Sequence, residues 1–194
     1  WNRNYYSDGG RCKPSFEQTS PNIPFLQNAL LYVGTCLLEG TNVSEGRGIY
    51  DYTMEHNLEI GGGAFMQFGA PWLDSEKIIE ELEKYNFEGV RFVSQSFTPN
   101  KSKYKGIQCN GILIIIKDGY NEVTPFQIGV SIINEIYKAH PNDFEFKDDF
   151  FDKLYGSSDL RLAILESKNL DQLMKKNEKD IEKFKKLREK VLLY

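Results

Sequence analysis

Ten consecutive residues, Glu39-Gly-Thr-Asn-Val-Ser-Glu-Gly-Arg-Gly48, hold two carboxylates, one amide, two hydroxyls and one guanidinium among three glycines. Glycines let backbone approach a ligand closely. Such a mixture suits a polyhydroxylated substrate. A glycosidase needs a carboxylic acid to protonate the leaving oxygen, and usually a second carboxylate as base or nucleophile. Glu39 and Glu45 are the catalytic candidates, and Thr41, Asn42, Ser44 and Arg47 the substrate-binding ones. The guanidinium fork of Arg47 matches a substrate carboxylate, because it reaches both oxygens at once. The plain alternative is a Glu45–Arg47 surface pair with Thr41 and Asn42 capping a turn.

Two further stretches join this loop. Trp72, in Gly69-Ala-Pro-Trp, offers a ring face to a sugar or packs in the core. Ser102-Lys-Tyr-Lys-Gly106 links two expected strands and contributes Lys103 and Tyr104, unless it is an ordinary solvated connection. The two histidines, His56 and His140, lack ligand spacing to Cys, Asp or Glu, so no metal and no cofactor is expected. His140 precedes Pro141 at an expected helix end, where a protonated ring suits the dipole. Cys12, Cys36 and Cys109 form neither a zinc site nor a disulfide framework, and Cys36 and Cys109 read as buried small hydrophobes.

The elements that must carry these residues follow from periodicity. A short helix is expected over Phe25–Leu31 after Pro24, then a buried strand over Tyr32–Leu38 that leads into the loop. Ile49–Gly69 has no clear period and contains Gly61-Gly-Gly63. Asp74 reads as an N-cap, with Ile78, Ile79, Leu82 and Tyr85 on one face behind it. Val90–Phe97 alternates partly. Gly111–Ile116 is apolar on both faces and is expected to be a central strand, followed by a turn at Asp118-Gly119. Phe126, Val130, Ile133 and Tyr137 mark a helix that Pro141 ends. Leu160–Glu166 is a short helix. Asn169 to about Leu192 is a longer one with Leu173, Ile181, Phe184, Leu187 and Val191 near one stripe. Strands followed by helices mean an α+β fold: a small mixed or antiparallel sheet around a central apolar strand, packed by helices, with a helical C-terminal tail.

The whole chain has 194 residues, enough for one domain with its own core. The net charge of −4 argues against a nucleic-acid binder, which needs a basic stripe against phosphates. A hydrophobic fraction of 40% and a mean hydropathy of −0.49 exclude a membrane-spanning or disordered chain. The first residue is Trp1, which reads as a domain cut from something longer.

Several motifs, in order, resemble a known family. These are Ser20-Pro-Asn-Ile-Pro24, Gly34-Thr-Cys-Leu-Leu-Glu-Gly-Thr-Asn-Val-Ser-Glu-Gly-Arg-Gly48 and Gly69-Ala-Pro-Trp-Leu73. Gly89-Val-Arg-Phe92, Ser102-Lys-Tyr104, Cys109-Asn-Gly111, Phe151-Asp-Lys-Leu-Tyr-Gly156 and Leu192-Leu-Tyr194 continue the match. Together they resemble the exo-β-N-acetylmuramidases of NamZ type over nearly the whole chain. The resemblance implies release of N-acetylmuramic acid from non-reducing ends of peptidoglycan fragments, in an extracytoplasmic place. It implies that residues 1–194 are the smaller α+β domain of a two-domain protein, with a Rossmann-like N-terminal domain as partner across the active-site cleft. Under it, Arg47 takes the lactyl carboxylate of the sugar, and Thr41 and Asn42 hold hydroxyls or the acetamido group. Glu39 or Glu45 acts as acid or base, or orients Arg47. The segment Ile49–Phe68 departs from the family pattern, being longer and lacking a Thr-Thr-Arg-Pro-Phe-type run. A non-catalytic module binding muramyl sugars or cell-wall fragments is the alternative function.

Overall fold

The computed structural model describes residues 18, 20–47, 63–117 and 122–192. Cys12, His56, Gly61-Gly62 and the Asp118-Gly119 turn lie outside the described residues. The fold is α+β; the described residues form six α-helices around a three-stranded antiparallel sheet.

Helix α1 (Leu26–Thr35) starts where expected. The side chain of Asn28 accepts from the Phe25 N–H at 3.2 Å and donates to the Ala64 carbonyl at 2.8 Å. The strand expected over Tyr32–Leu38 does not form. That segment is the last turn of α1 and a 3-10 turn, Cys36–Gly40. A short apolar run carries no period that separates a buried strand from a buried helix. Tertiary packing decides here. A Cβ on Gly34 would lie 1.9 Å from the Pro125 carbonyl oxygen, so α1 meets α3 (Pro125–Ala139) almost backbone to backbone. The Thr35 hydroxyl donates to Leu31 O one turn back, which an α-helix permits and a strand does not.

The sheet has strand order β1 (Gln67–Ala70), β3 (Asn110–Ile116), β2 (Val90–Ser94). Gln67 pairs with Leu113 and Ala70 with Asn110; on the other side Val90 pairs with Ile116 and Ser94 with Ile112. β3 is central, and Ile112, Leu113 and Ile114 are all buried, as its apolar faces predict. β1 is hidden from sequence reasoning, because four residues of a glycine-containing loop show no alternation. Its Gly69 closely faces Gly111 of β3.

α2 (Ser75–Glu83) has the expected cap: Asp74 Oδ1 accepts from the Lys77 N–H at 3.2 Å, and Ile78 and Leu82 are fully buried. α3 buries Ile128, Ile132, Ile133 and Ile136 completely and ends at His140. α4 (Asp148–Tyr155) has no counterpart among the expected elements; it buries Phe151 under the 3-10 turn and stops at Gly156, φ +98°. α5 (Asp159–Leu165) precedes α6 (Leu170–Arg188). α6 has no buried residue, and its stripe of Ile181, Phe184 and Leu187 faces solvent. Among the described residues no helix is long and apolar enough to cross a membrane.

Candidate active site

The polar loop is stitched to the core on both sides. Ser44 exchanges two backbone hydrogen bonds with Gly69 of β1, at 2.8 and 3.0 Å. On the opposite side Thr41 bridges Phe146, with Asn42 N–H donating to Glu145 O and Lys147 N–H to Gly40 O. Gly46 sits at φ +76°, and a Cβ there would lie 2.7 Å from Gln67 O, so the sharp bend needs glycine.

Much of the loop's neutral polarity is spent on this stitching. Thr41 is fully buried; its hydroxyl donates to Leu38 O at 2.9 Å and accepts from Val43 N–H at 3.1 Å. The Asn42 amide donates to Asp143 O at 2.7 Å and accepts from Glu145 N–H at 3.0 Å. Ser44 Oγ accepts from Gly46 N–H at 3.3 Å. These three expected ligand-binding side chains thus engage backbone.

The charged residues form one network. Arg47 Nη2 donates to Glu39 Oε2 at 2.5 Å, and Arg47 Nε lies 3.2 Å from Glu45 Oε1. The second contact is an ion pair whose angle leaves the Nε–H without a hydrogen bond. Lys103 reaches in from the β2–β3 link and spends all three donors, on Leu38 O (2.8 Å), Val43 O (2.7 Å) and Glu45 Oε2 (2.9 Å). It is therefore no solvated connector. Left-handed residues on either side, Ser102 (φ 66°) and Tyr104 (φ 56°), accompany its inward turn.

Exposure grades the network. Glu45 is 3% exposed, Glu39 14%, Lys103 16% and Arg47 35%, so Arg47 forms its outer edge and Glu45 its floor, with Glu39 and Lys103 between them. Burial pushes the Glu39 carboxyl above its ordinary value; Arg47 and Lys103 oppose this and Glu45 adds to it. Burial lowers the Lys103 ammonium, against the pull of Glu45. Two carboxylates that share one guanidinium, one of them pushed toward its protonated form, are the makings of an acid paired with an anion.

Trp72 and Tyr104 come together beside this network: the indole N–H donates to the Tyr104 hydroxyl at 3.2 Å, and both rings are partly exposed. The His140 ring lies 5.4 Å from Trp72 and its Nε2 accepts from Asp74 N–H at 3.1 Å. This hydrogen bond ties the end of α3 to the start of α2. Cys109 is fully buried, its thiol pushed up to about 11 by desolvation, whereas Cys36 is only partly buried, unlike the expectation. Sequence reasoning missed Phe65, which underlies Arg47 at 5.6 Å, and Asn110, whose amide holds Pro71 O and Leu73 O beside Trp72. Neither stands out by its residue type, because each acts on partners distant in the chain. Among the described residues no group of His, Cys, Asp or Glu is placed to hold a metal ion.

Over its full length the chain is 33% identical to the peptidoglycan β-N-acetylmuramidase NamZ of Bacillus subtilis strain 168, and it spans 44% of that protein, less than half. A crystal structure of a DUF1343 family protein from Bacteroides fragilis has the same fold, with a TM-score of 0.71 at 22% identity over 90% of this chain and 44% of the other. The profile of the family described as exo-β-N-acetylmuramidase NamZ, C-terminal, matches residues 30–194, and the chain belongs to that family.

Proposed function

We propose that this chain supplies one wall of a glycosidase active site that releases N-acetylmuramic acid from non-reducing ends of peptidoglycan fragments outside the cytoplasm. The observation that carries the reading is the Glu39–Arg47–Glu45 constellation, two carboxylates on one guanidinium at the rim of a rigid loop. Glu39 is the general acid: burial raises its carboxyl above the ordinary value, and it is the more accessible of the two carboxylates. Glu45, with each oxygen beside a cation, is the anionic partner that fixes Arg47 and Lys103. The exposed part of Arg47 takes the lactyl carboxylate, and the Trp72–Tyr104 pair offers ring faces to the sugar. Thr41, Asn42 and Ser44 hold the loop in shape instead of touching sugar. The opposite wall comes from a Rossmann-like N-terminal domain of the full-length protein.

The test is sugar release from a muramyl-glucosamine disaccharide by the full-length protein. Glu39→Gln is expected to lower kcat by about 10²–10⁴-fold, the usual worth of a positioned proton donor. Arg47→Ala is expected to erase the preference for muramyl over glucosaminyl ends. Calorimetric binding without turnover in the wild-type protein would instead establish a non-catalytic sugar-binding module.

A further inference from the structure

Phe65 combines features that packing alone does not require. Its backbone is left-handed, φ 70°, although its side chain is bulky and only 2% exposed. Five described non-glycine residues have positive φ, and the two aromatic ones, Phe65 and Tyr104, both flank the charged network. Asn86, Ser102 and Ser167 are residue types that turns tolerate, whereas a phenylalanine in this region is strained. Neighbours hold the strain in place. Phe65 N–H donates to Glu45 O at 2.8 Å, and Phe65 O lies 3.0 Å from the Thr35 hydroxyl, whose one proton it shares with Leu31 O. The same residue therefore grips the backbone of Glu45 and lays its ring 5.6 Å from the Arg47 guanidinium carbon. The ring of Tyr32 meets it edge-on, at 4.7 Å and 89°.

We infer that Phe65 is a positioning residue, whose strained backbone sets its ring as a floor for Arg47 and so fixes Arg47 between Glu39 and Glu45. A cation over an aromatic face within about 6 Å is held by the ring quadrupole. The inference rests on the proposed role of Glu39 as acid. The groups facing Glu39 are Arg47, Glu45 and Lys103, with Tyr32 and Cys36 on the α1 side, both pushed toward their neutral forms. Arg47 is the largest influence opposing the burial of Glu39. If its floor is weakened, Glu39 keeps its proton to higher pH, and the alkaline limb of the pH–rate profile moves up.

The experiment uses the full-length protein. Phe65→Leu is expected to move the alkaline limb up by about half a pH unit or more, and Phe65→Tyr to leave it in place. Because Phe65→Leu can disturb folding, a series of singly, doubly and triply fluorinated phenylalanines at position 65 is measured too. These keep the ring's shape while draining its face of charge, so the limb should climb step by step. A limb that stays fixed across the fluorinated series overturns the inference. Titration of the Glu39 carboxyl by ¹³C NMR through the same series reads the same shift without turnover. A wild-type protein that releases no sugar therefore defeats the proposed activity, while an unmoved Glu39 titration defeats the role of Phe65.

Discussion

Two mostly buried glutamates in this molecule respond to burial in opposite ways. Glu39, in the loop, ends above its ordinary value, and Glu135, in α3, ends below it. Desolvation is the largest influence on both, and it raises both. The difference is in the neighbours. Glu135 Oε1 accepts from the Tyr85 hydroxyl (2.6 Å), the Asn134 amide (2.8 Å) and the Lys138 ammonium (2.8 Å), and no carboxylate is among the groups acting on it. Glu39 accepts from Arg47 and feels a second carboxylate, Glu45. Donor count and like charge, rather than depth, decide whether a buried carboxyl ends below or above its ordinary value. Tyr85 bears the reciprocal mark: burial and the adjacent Glu135 push its hydroxyl up to about 12.

The sharpest way to break this contrast is to remove the cation beneath the loop. Lys103→Met leaves Glu45 buried beside Arg47 alone and takes the ammonium donor from Val43 O, while Leu38 O keeps its bonds from Thr41. The expected loss is about 3–5 kcal/mol by urea denaturation, since breaking a buried pair strands the remaining charge. Glu135→Ala strands the buried Asn134 amide, while Tyr85 and Lys138, both about half exposed, rehydrate. About 2–3 kcal/mol should be lost, with sugar release by the full-length protein unchanged below its melting range.

The pH dependence of stability should carry opposite signs at the two sites. Glu135 is depressed in the fold, so its contribution is full above the unfolded value of about 4.5 and is lost as pH falls through the folded value. Glu39 is raised, so its contribution is full below that value and is lost as pH rises through the folded one. Glu39→Gln should therefore raise the melting temperature slightly at neutral pH, where Glu135→Gln lowers it; thermal scans at pH 4 and pH 7 read both slopes. Under the proposed role of Glu39, a stabilising substitution there that lowers sugar release is the usual trade between stability and activity. The smallest effect belongs to the far surface. Phe184→Ser on α6, where the ring is 62% exposed, should change stability by less than about 0.5 kcal/mol in the same denaturation assay.

What could be read from the sequence was local. The Asp74 cap, the central apolar strand, the faces of α2 and α3 and the chemical density of Glu39–Gly48 all rest on neighbours a few residues apart, where pattern and propensity act. The strand expected over Tyr32–Leu38 failed because a helix–helix contact at Gly34 and Gly129 selected the conformation. The loop's residue types were legible, but their division of labour was not. Thr41 and Asn42 read as sugar ligands, and in the fold their side chains engage backbone and clamp the loop, Asn42 with partners up to 103 positions away in sequence.

By itself, then, the sequence determined the fold class, the family motifs and the presence of two carboxylates and a guanidinium on one short loop. Only the tertiary structure decided which polar groups are consumed by the fold and which remain at its rim. Lys103 meets Glu45 across 58 positions, and Phe65 reaches Arg47 from the turn before β1. The physical reason is that desolvation and hydrogen-bond satisfaction are set by whatever packs alongside, and these partners are brought together only when the chain closes on itself.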